Sequence, residues 1–319
     1  LLFLQVFLTA QAEDRLPMGV AFGGLALLSW VLYGIYRAAQ RSAYELESLV
    51  FLLISIGAAV TAAYDPASLY KLLITVVMGM VLFLAMSGVL RDLHLSIRAR
   101  WPVAIAAGAL LAFNVVLGER IFGAKNWISI GPISFQPSEL VKIAFILAGA
   151  ATLDRLFAKR NLVFTILFSA YCVGCLALMS DFGTALIFFV AFLCIAFLRT
   201  GDLPSIAMMV AAAAFGCGII LRFKPYIADR FAAWRHAWDY AQDIGYQQTR
   251  TMSAMASGGL FGVGPKDGWL KYVGAANTDL VFGVVGEEFG FLLALCCVAA
   301  LVIPIVFTLR CAAAARSSF

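Results

Sequence analysis

The chain has 319 residues, of which 63% are hydrophobic and 13% charged, and its mean hydropathy is +0.95. Such a composition describes helices dissolved in lipid and excludes an ordinary water-soluble core. The formal net charge of +5 comes from basic residues gathered in alternate short loops, so it reads as a topological signal and implies no nucleic-acid partner.

Apolar runs long enough to cross a bilayer as helices fall at about residues 17–37, 48–64, 69–90, 101–118, 138–153, 160–179, 182–198, 203–222 and 280–309. A further run over 1–10 is too short to span. The expected fold class is all-α: a polytopic transmembrane helix bundle with a large extracytoplasmic loop. The first apolar run has no basic region before it and meets Glu13, Asp14 and Arg15, so it does not read as a cleavable signal peptide. The chain opens on Leu1 and stops on Phe319 just after a hydrophobic segment, and reads as a fragment.

Arg37 and Arg41, then Arg91, Arg98 and Arg100, then Arg155, Lys159 and Arg160, then Arg199, and finally Arg310 and Arg316 occupy alternate loops. Positive charge marks the cytoplasmic side. The loops 118–137 and 223–278, with the short turn at Ser180 and Asp181, then face outward. All seven cysteines lie in or at the end of hydrophobic spans, so no disulfide framework is expected. Cys172 and Cys175 form a C-x-x-C on a membrane helix, where packing explains them better than a metal does. With His94 in a basic loop and His236 far away in an outer one, no metal ligand set is visible.

The first polar constellation runs from Gly123-Ala124-Lys125-Asn126-Trp127-Ile128 to Gln136-Pro137-Ser138-Glu139-Leu140-Val141-Lys142. Gly and Pro break the loop into turns, and Pro137 with Ser138 sets up the next helix. Glu139 and Lys142 stand three apart on one helix face, either as a structural ion pair or as a pair lining a substrate cavity. Asp181, between two spans with almost no loop, suits an N-cap for the following helix and equally a carboxylate at the mouth of a cavity.

The large outer loop carries Lys224, Arg230, Trp234, Arg235, His236, Trp238, Asp239 and Arg250. Phe231, Trp234 and Trp238 fall at spacings of three and four, which predicts an amphipathic helix on the membrane surface. Lys224, Arg230, Arg235, Arg250, Lys266 and Lys271 bring positive charge where topology does not need it, and guanidinium forks suit an anionic lipid headgroup. Asp239, among tryptophans and cations, is the best-placed general base. The glycines of Ser257-Gly258-Gly259-Leu260-Phe261-Gly262-Val263-Gly264-Pro265 lack the strand and the Gly-Lys-Ser/Thr of a phosphate loop, and read as a flexible turn re-entering the bundle. Thr278 and Asp279 are expected to cap one continuous helix carrying Glu287 and Glu288. At about 100° per residue the two glutamates point differently, and at least one should meet a wet interior.

The runs GAKNWISIGPISFQPSELVK, SDFGT, GYQQTR with ASGGLFGVG, and TDLVFGVVGEEFGF resemble, in order and spacing, the SEDS family of shape, elongation, division and sporulation proteins. The resemblance covers about residues 48–316. Residues 1–47 then read as extra N-terminal transmembrane segments and 48–319 as the SEDS-like membrane domain, whose last helices have no counterpart here.

The resemblance implies a peptidoglycan glycosyltransferase that polymerises lipid II outside the bacterial cytoplasmic membrane beside a class B penicillin-binding protein. It places the catalytic carboxylate on Asp239, with Asp243 a lesser candidate because the family's Asp-Pro is Asp239-Tyr240 here. Its substrate-binding positions fall on Glu139, Lys142, Asp181, Thr278, Asp279 and Glu287, with Arg230, Arg235 and Arg250 set to neutralise a diphosphate. No cofactor is evident, and a divalent cation sharing that task is marked by no motif. Two other classes use the same charged groups: a flippase for lipid-linked precursors, and a non-catalytic membrane scaffold for the penicillin-binding protein.

Overall fold

A backbone in lipid has no water to bond, so apolar runs close their hydrogen bonds internally as helices. The computed structural model describes residues 2–41, 43–121, 124–130, 133–153, 159–200, 203–223 and 233–313. Its helices follow the apolar runs: α1 Leu2–Leu8, α2 Arg15–Ala38, α3 Glu45–Tyr64, α4 Leu69–Arg91, α5 Leu93–Leu117, α6 Pro137–Leu153, α7 Lys159–Leu178, α8 Phe182–Thr200 and α9 Leu203–Phe223. Five stretches among the described residues are long and apolar enough to cross a membrane: Arg15–Ala38, Glu45–Tyr64, Pro66–Arg91, Ile97–Leu117 and Phe291–Ala313. Leu27, Trp30, Ile105, Val116, Leu186 and Leu301 stand open on these and neighbouring helices, as lipid-facing side chains do.

The chain divides into two compact units. One comprises Leu1–Val81 with Leu221–Ala315, the other Leu82–Ile220 with Arg316–Phe319. In the first, Val6, Met18, Ala21 and Leu25 share one core with Ile56 and Val60 of α3 and with Ala254, Leu270, Val273, Val284 and Phe289. α1 and α2 therefore share their core with α3 and with residues of the large loop. In the second, Leu111, Val141, Phe145, Cys172, Leu176 and Phe188 form the core. Cys172 and Cys175 are both buried and unbridged, and Cys172 belongs to that packing.

The segment 118–137 is more than a string of turns. It forms a three-stranded antiparallel sheet in the order β1 Glu119–Ile121, β2 Ala124–Ile130, β3 Ile133–Phe135. Alternation explains it: Asn126 and Ile128 turn inward while Ser129 is exposed. Lys125, on the opposite face, donates to the carbonyls of Val115 and Val116 at 2.8 Å each and so satisfies the end of α5.

The large loop differs from the sequence expectation in two places. No amphipathic helix spans Trp234 and Trp238; residues 233–245 make successive turns, with amides bonding three residues back, as from Asp239 to His236. Arg235 takes φ 67°, a left-handed conformation that an α-helix of L-residues does not sustain. Phe231 lies outside the described residues. The loop then builds a helix the sequence reading left out, α10 Tyr246–Gly258.

The expected continuous helix over 280–309 is interrupted. A single turn, α11 Val281–Val284, passes into a π-helical turn, Val285–Phe289, and Gly290 at φ +88° ends it before α12, Phe291–Ala313. The N-cap position of α11 is Leu280, and Thr278 donates to the carbonyl of Ala275 at 3.2 Å. Thr278 and Asp279 thus do not cap a long helix; the capping geometry was displaced when the helix broke.

Candidate functional site

In the second unit, Asp181 ties three segments together. Its Oδ1 accepts the Thr184 amide at 3.1 Å, the N-cap expected from the sequence. Its Oδ2 accepts the side-chain amides of Asn126 at 2.8 Å, from β2, and of Gln136 at 3.0 Å, from the link into α6. The Lys125 amide adds a bond to the Met179 carbonyl at 2.9 Å, docking the sheet on the end of α7. Asn126 and Gln136 were not singled out in the sequence, although the period-two alternation of β2 marks Asn126 as inward. Close by in the chain, Glu139 and Lys142 form their expected ion pair at 2.8 Å with the Glu139 side chain 56% exposed. Asn114 Oδ1, Asn126 Oδ1 and Ser138 Oγ are buried without a hydrogen-bond partner among the described residues, so the polar interior of this unit retains unused acceptor capacity.

In the first unit the glycine run is docked, not loose. Val263 and Gly264 donate to the carbonyls of Glu287 and Glu288 at 2.9 and 3.1 Å, while Phe291 and Leu292 donate back to Gly259 and Leu260 at 2.9 and 3.3 Å. A π-turn widens the helix and misplaces its usual partners, and here the loop supplies replacements. Backbone must meet backbone for this. A Cβ on Gly262, at φ +85°, would lie 2.2 Å from the Glu288 carbonyl oxygen, and one on Gly290 2.4 Å from the Gly262 nitrogen.

Glu287 is 1% exposed and accepts the amides of Trp269 and Leu270 at 2.8 and 3.0 Å. Both carboxylate oxygens are taken up in holding the loop. Glu288, also 1% exposed, has no side-chain hydrogen-bond partner on either oxygen among the described residues. Burial pushes its carboxyl up to about 7, with Glu287 adding to the rise, while the Lys266 backbone amide and the Lys271 charge oppose it.

Asp239 sits on the turns just before α10, its side chain 73% exposed, and among the described residues its carboxylate meets only His236 Nδ1, at 3.5 Å. Trp234 and Trp238 are 72% and 62% exposed, and Arg235 and Asp243 are exposed as well. Arg250 stacks over the Tyr246 ring at 5.2 Å. Asp279 is exposed and bonds nothing among the described residues. Lys266 pairs with Asp14 at 3.1 Å. Arg230 and Lys224 lie outside the described residues. The first unit thus gathers Arg235, Asp239, Arg250, Thr278, Asp279 and Glu287, and the second gathers Glu139, Lys142 and Asp181. Among the described residues no three His, Cys, Asp or Glu side chains converge to hold a metal ion.

The profile of the cell cycle protein family FTSW_RODA_SPOVE matches residues 25–319. The chain belongs to this family. The match starts inside α2, ahead of residue 48. Relatives include proteins named probable peptidoglycan glycosyltransferase FtsW from Saccharophagus degradans, 28% identical over 82% of this chain and 72% of the relative, and from Halorhodospira halophila, 30% identical over 87% and 72%. With the namesake from Coxiella burnetii, 30% identical, the alignment covers 57% of this chain and 51% of the relative.

Among solved structures, one described as a peptidoglycan synthase complex coordinating polymerization and crosslinking matches with a TM-score of 0.63 at 27% identity, over 85% of this chain and 78% of that one. The Thermus thermophilus rod shape determining protein RodA matches in fold, with a TM-score of 0.54 at 24% identity over 84% and 73%. This FtsW/RodA-type chain is accordingly a multi-pass membrane protein of helices carrying one small sheet.

Proposed function

We propose that the chain is a peptidoglycan glycosyltransferase that polymerises lipid II into glycan strands on the outer face of the bacterial cytoplasmic membrane, together with a class B penicillin-binding protein. The relatives' shared name and the synthase-complex neighbour support the activity and the partnership. The observation that carries the assignment of the base is the state of the carboxylates. Glu287 is occupied by two amides, Asp181 by a cap and two side-chain amides, and Glu139 by Lys142. Asp239, like Asp243 and Asp279, stays exposed, as a general base that must take a proton requires, and the resemblance to the family selects Asp239 among the three.

In the reaction, Asp239 removes the proton from the 4-hydroxyl of the acceptor's terminal GlcNAc as that oxygen attacks the anomeric carbon of the donor MurNAc. The new C–O bond forms as the bond to the diphosphate breaks, and the lipid diphosphate leaves with the electron pair. An α-linked donor gives a β-linked product, so one base and a stabilised leaving group suffice. Arg230, Arg235 and Arg250 are assigned to the diphosphate charge. Exposed Trp234 and Trp238 suit the membrane interface, where lipid-linked substrates present their headgroups.

The test is glycan-strand formation from purified lipid II by wild type and Asp239→Asn, each with and without a penicillin-binding partner. A folded Asp239→Asn protein should lose about 10²–10⁴-fold in rate. Wild-type rates from that variant would move the base to Asp243, and a wild type silent with every partner would sink the glycosyltransferase reading.

A further inference from the structure

Glu288 is the buried acid that the reaction does not use. Among the described residues its two oxygens meet no hydrogen-bond partner, and the hydroxyl of Tyr64, at the end of α3 and within electrostatic reach of Glu288, is likewise buried and unpartnered. An ionised carboxylate enclosed in this way lacks the donors that Glu287 obtains from Trp269 and Leu270, and a charge buried without donors takes up a proton instead. We propose that Glu288 is a positioning residue, carried as the neutral acid beneath the docked glycine loop, whose ionisation loosens the platform that presents Asp239.

The surroundings are specific. Glu287 on the same turn and Asp267 on the loop press a proton onto Glu288, while the backbone amide of Lys266 and the charge of Lys271 favour its loss. The Lys266 ammonium pairs with Asp14, and the Lys271 ammonium donates to the Lys266 carbonyl. From α10 the turn meets Met255, against Gly286, and Thr251, against Gly283, neither of them titratable.

The platform leads to Asp239 by contact. Gly258 at the end of α10 packs on the Gly286 carbonyl, and Gly245 at its start packs on the carbonyls of Ala237 and Tyr240, in the turns that hold Asp239. The Gly245 amide bonds the Tyr240 carbonyl at 3.0 Å. The part of the proposal that concerns catalysis rests on Asp239 as the base; the part that concerns the loop does not.

The carboxyl is raised from 4.5 to about 7, so its contribution to docking is complete below the ordinary carboxylate range and is lost as pH rises through about 7. Hydrogen exchange of peptides covering 258–272 in the full chain, corrected for intrinsic rates, is compared at about pH 5.5 and about pH 8.5. Wild-type protection should fall at least about tenfold at the higher pH, while Glu288→Gln and the apolar Glu288→Met stay protected at both. Strand synthesis by Glu288→Gln should equal wild type at the lower pH and exceed it about tenfold one pH unit above the midpoint. Equal wild-type protection at both pH values overturns the proposal, as does a pH-dependent loss that persists in Glu288→Gln. Exchange that behaves as expected in a protein making no polymer would uphold the role of Glu288 in docking and reject Asp239 chemistry instead.

Discussion

The Glu287 carboxylate and the Leu270 amide, 17 residues apart in the chain, meet at 3.0 Å in the core of the first unit. The neighbouring Trp269 amide takes the other oxygen. One acid thereby closes the loop that follows the glycine run. A charge-assisted bond in a dry setting is strong, and its loss leaves two amides orphaned. Glu287→Ala is expected to lower stability by about 2–4 kcal/mol, read as a shift in the thermal midpoint in detergent. Glu287→Gln, which keeps one acceptor oxygen, should lose about half as much. Equal midpoints for wild type and Glu287→Ala would remove the clasp role.

Asp181 offers a graded test of the same kind. Asp181→Ala removes the cap of α8 and strands the amides of Asn126 and Gln136, which should cost about 2–3 kcal/mol. Asp181→Asn keeps an oxygen for either the cap or the side chains and should cost less. A helix-stability difference between the two variants, seen by circular dichroism on heating, checks the ranking.

The docking of the glycine run makes Gly262 and Gly274 behave oppositely. An alanine at 262 needs a left-handed backbone and drives its Cβ into the Glu288 carbonyl, whereas one at 274 meets nothing within 4 Å. The conformational term alone costs about 1–2 kcal/mol, with the clash added. Gly262→Ala should therefore be poorly folded and Gly274→Ala close to wild type, as judged by monodisperse yield after purification.

Glu139 and Lys142 separate stability from chemistry. Their pair is half exposed on a helix surface, and such pairs contribute about 0.2–0.5 kcal/mol. Exchanging the two, as Glu139→Lys with Lys142→Glu, should leave the thermal midpoint unchanged. Unimpaired strand synthesis by the exchanged protein would make the pair structural only, and a fall in synthesis at an unchanged midpoint would give it a part in the reaction.

The membrane class, the approximate positions of α2 to α9, the Asp181 cap and the Glu139–Lys142 pair were legible from the residues alone, together with the family through runs such as GAKNWISIG and GEEFGF. All of these are local: a run of apolar residues, a spacing of three, a side chain bonding its own next turn. The remainder lies between distant segments, which no local pattern joins. The π-turn at Val285–Phe289, the backbone docking of Gly259–Gly264 on it, and the contrast between a satisfied Glu287 and an unsatisfied Glu288 all depend on which chain lies against which. A glycine announces that something comes close but not what does, and two adjacent glutamates look alike until one finds two amides and the other finds none.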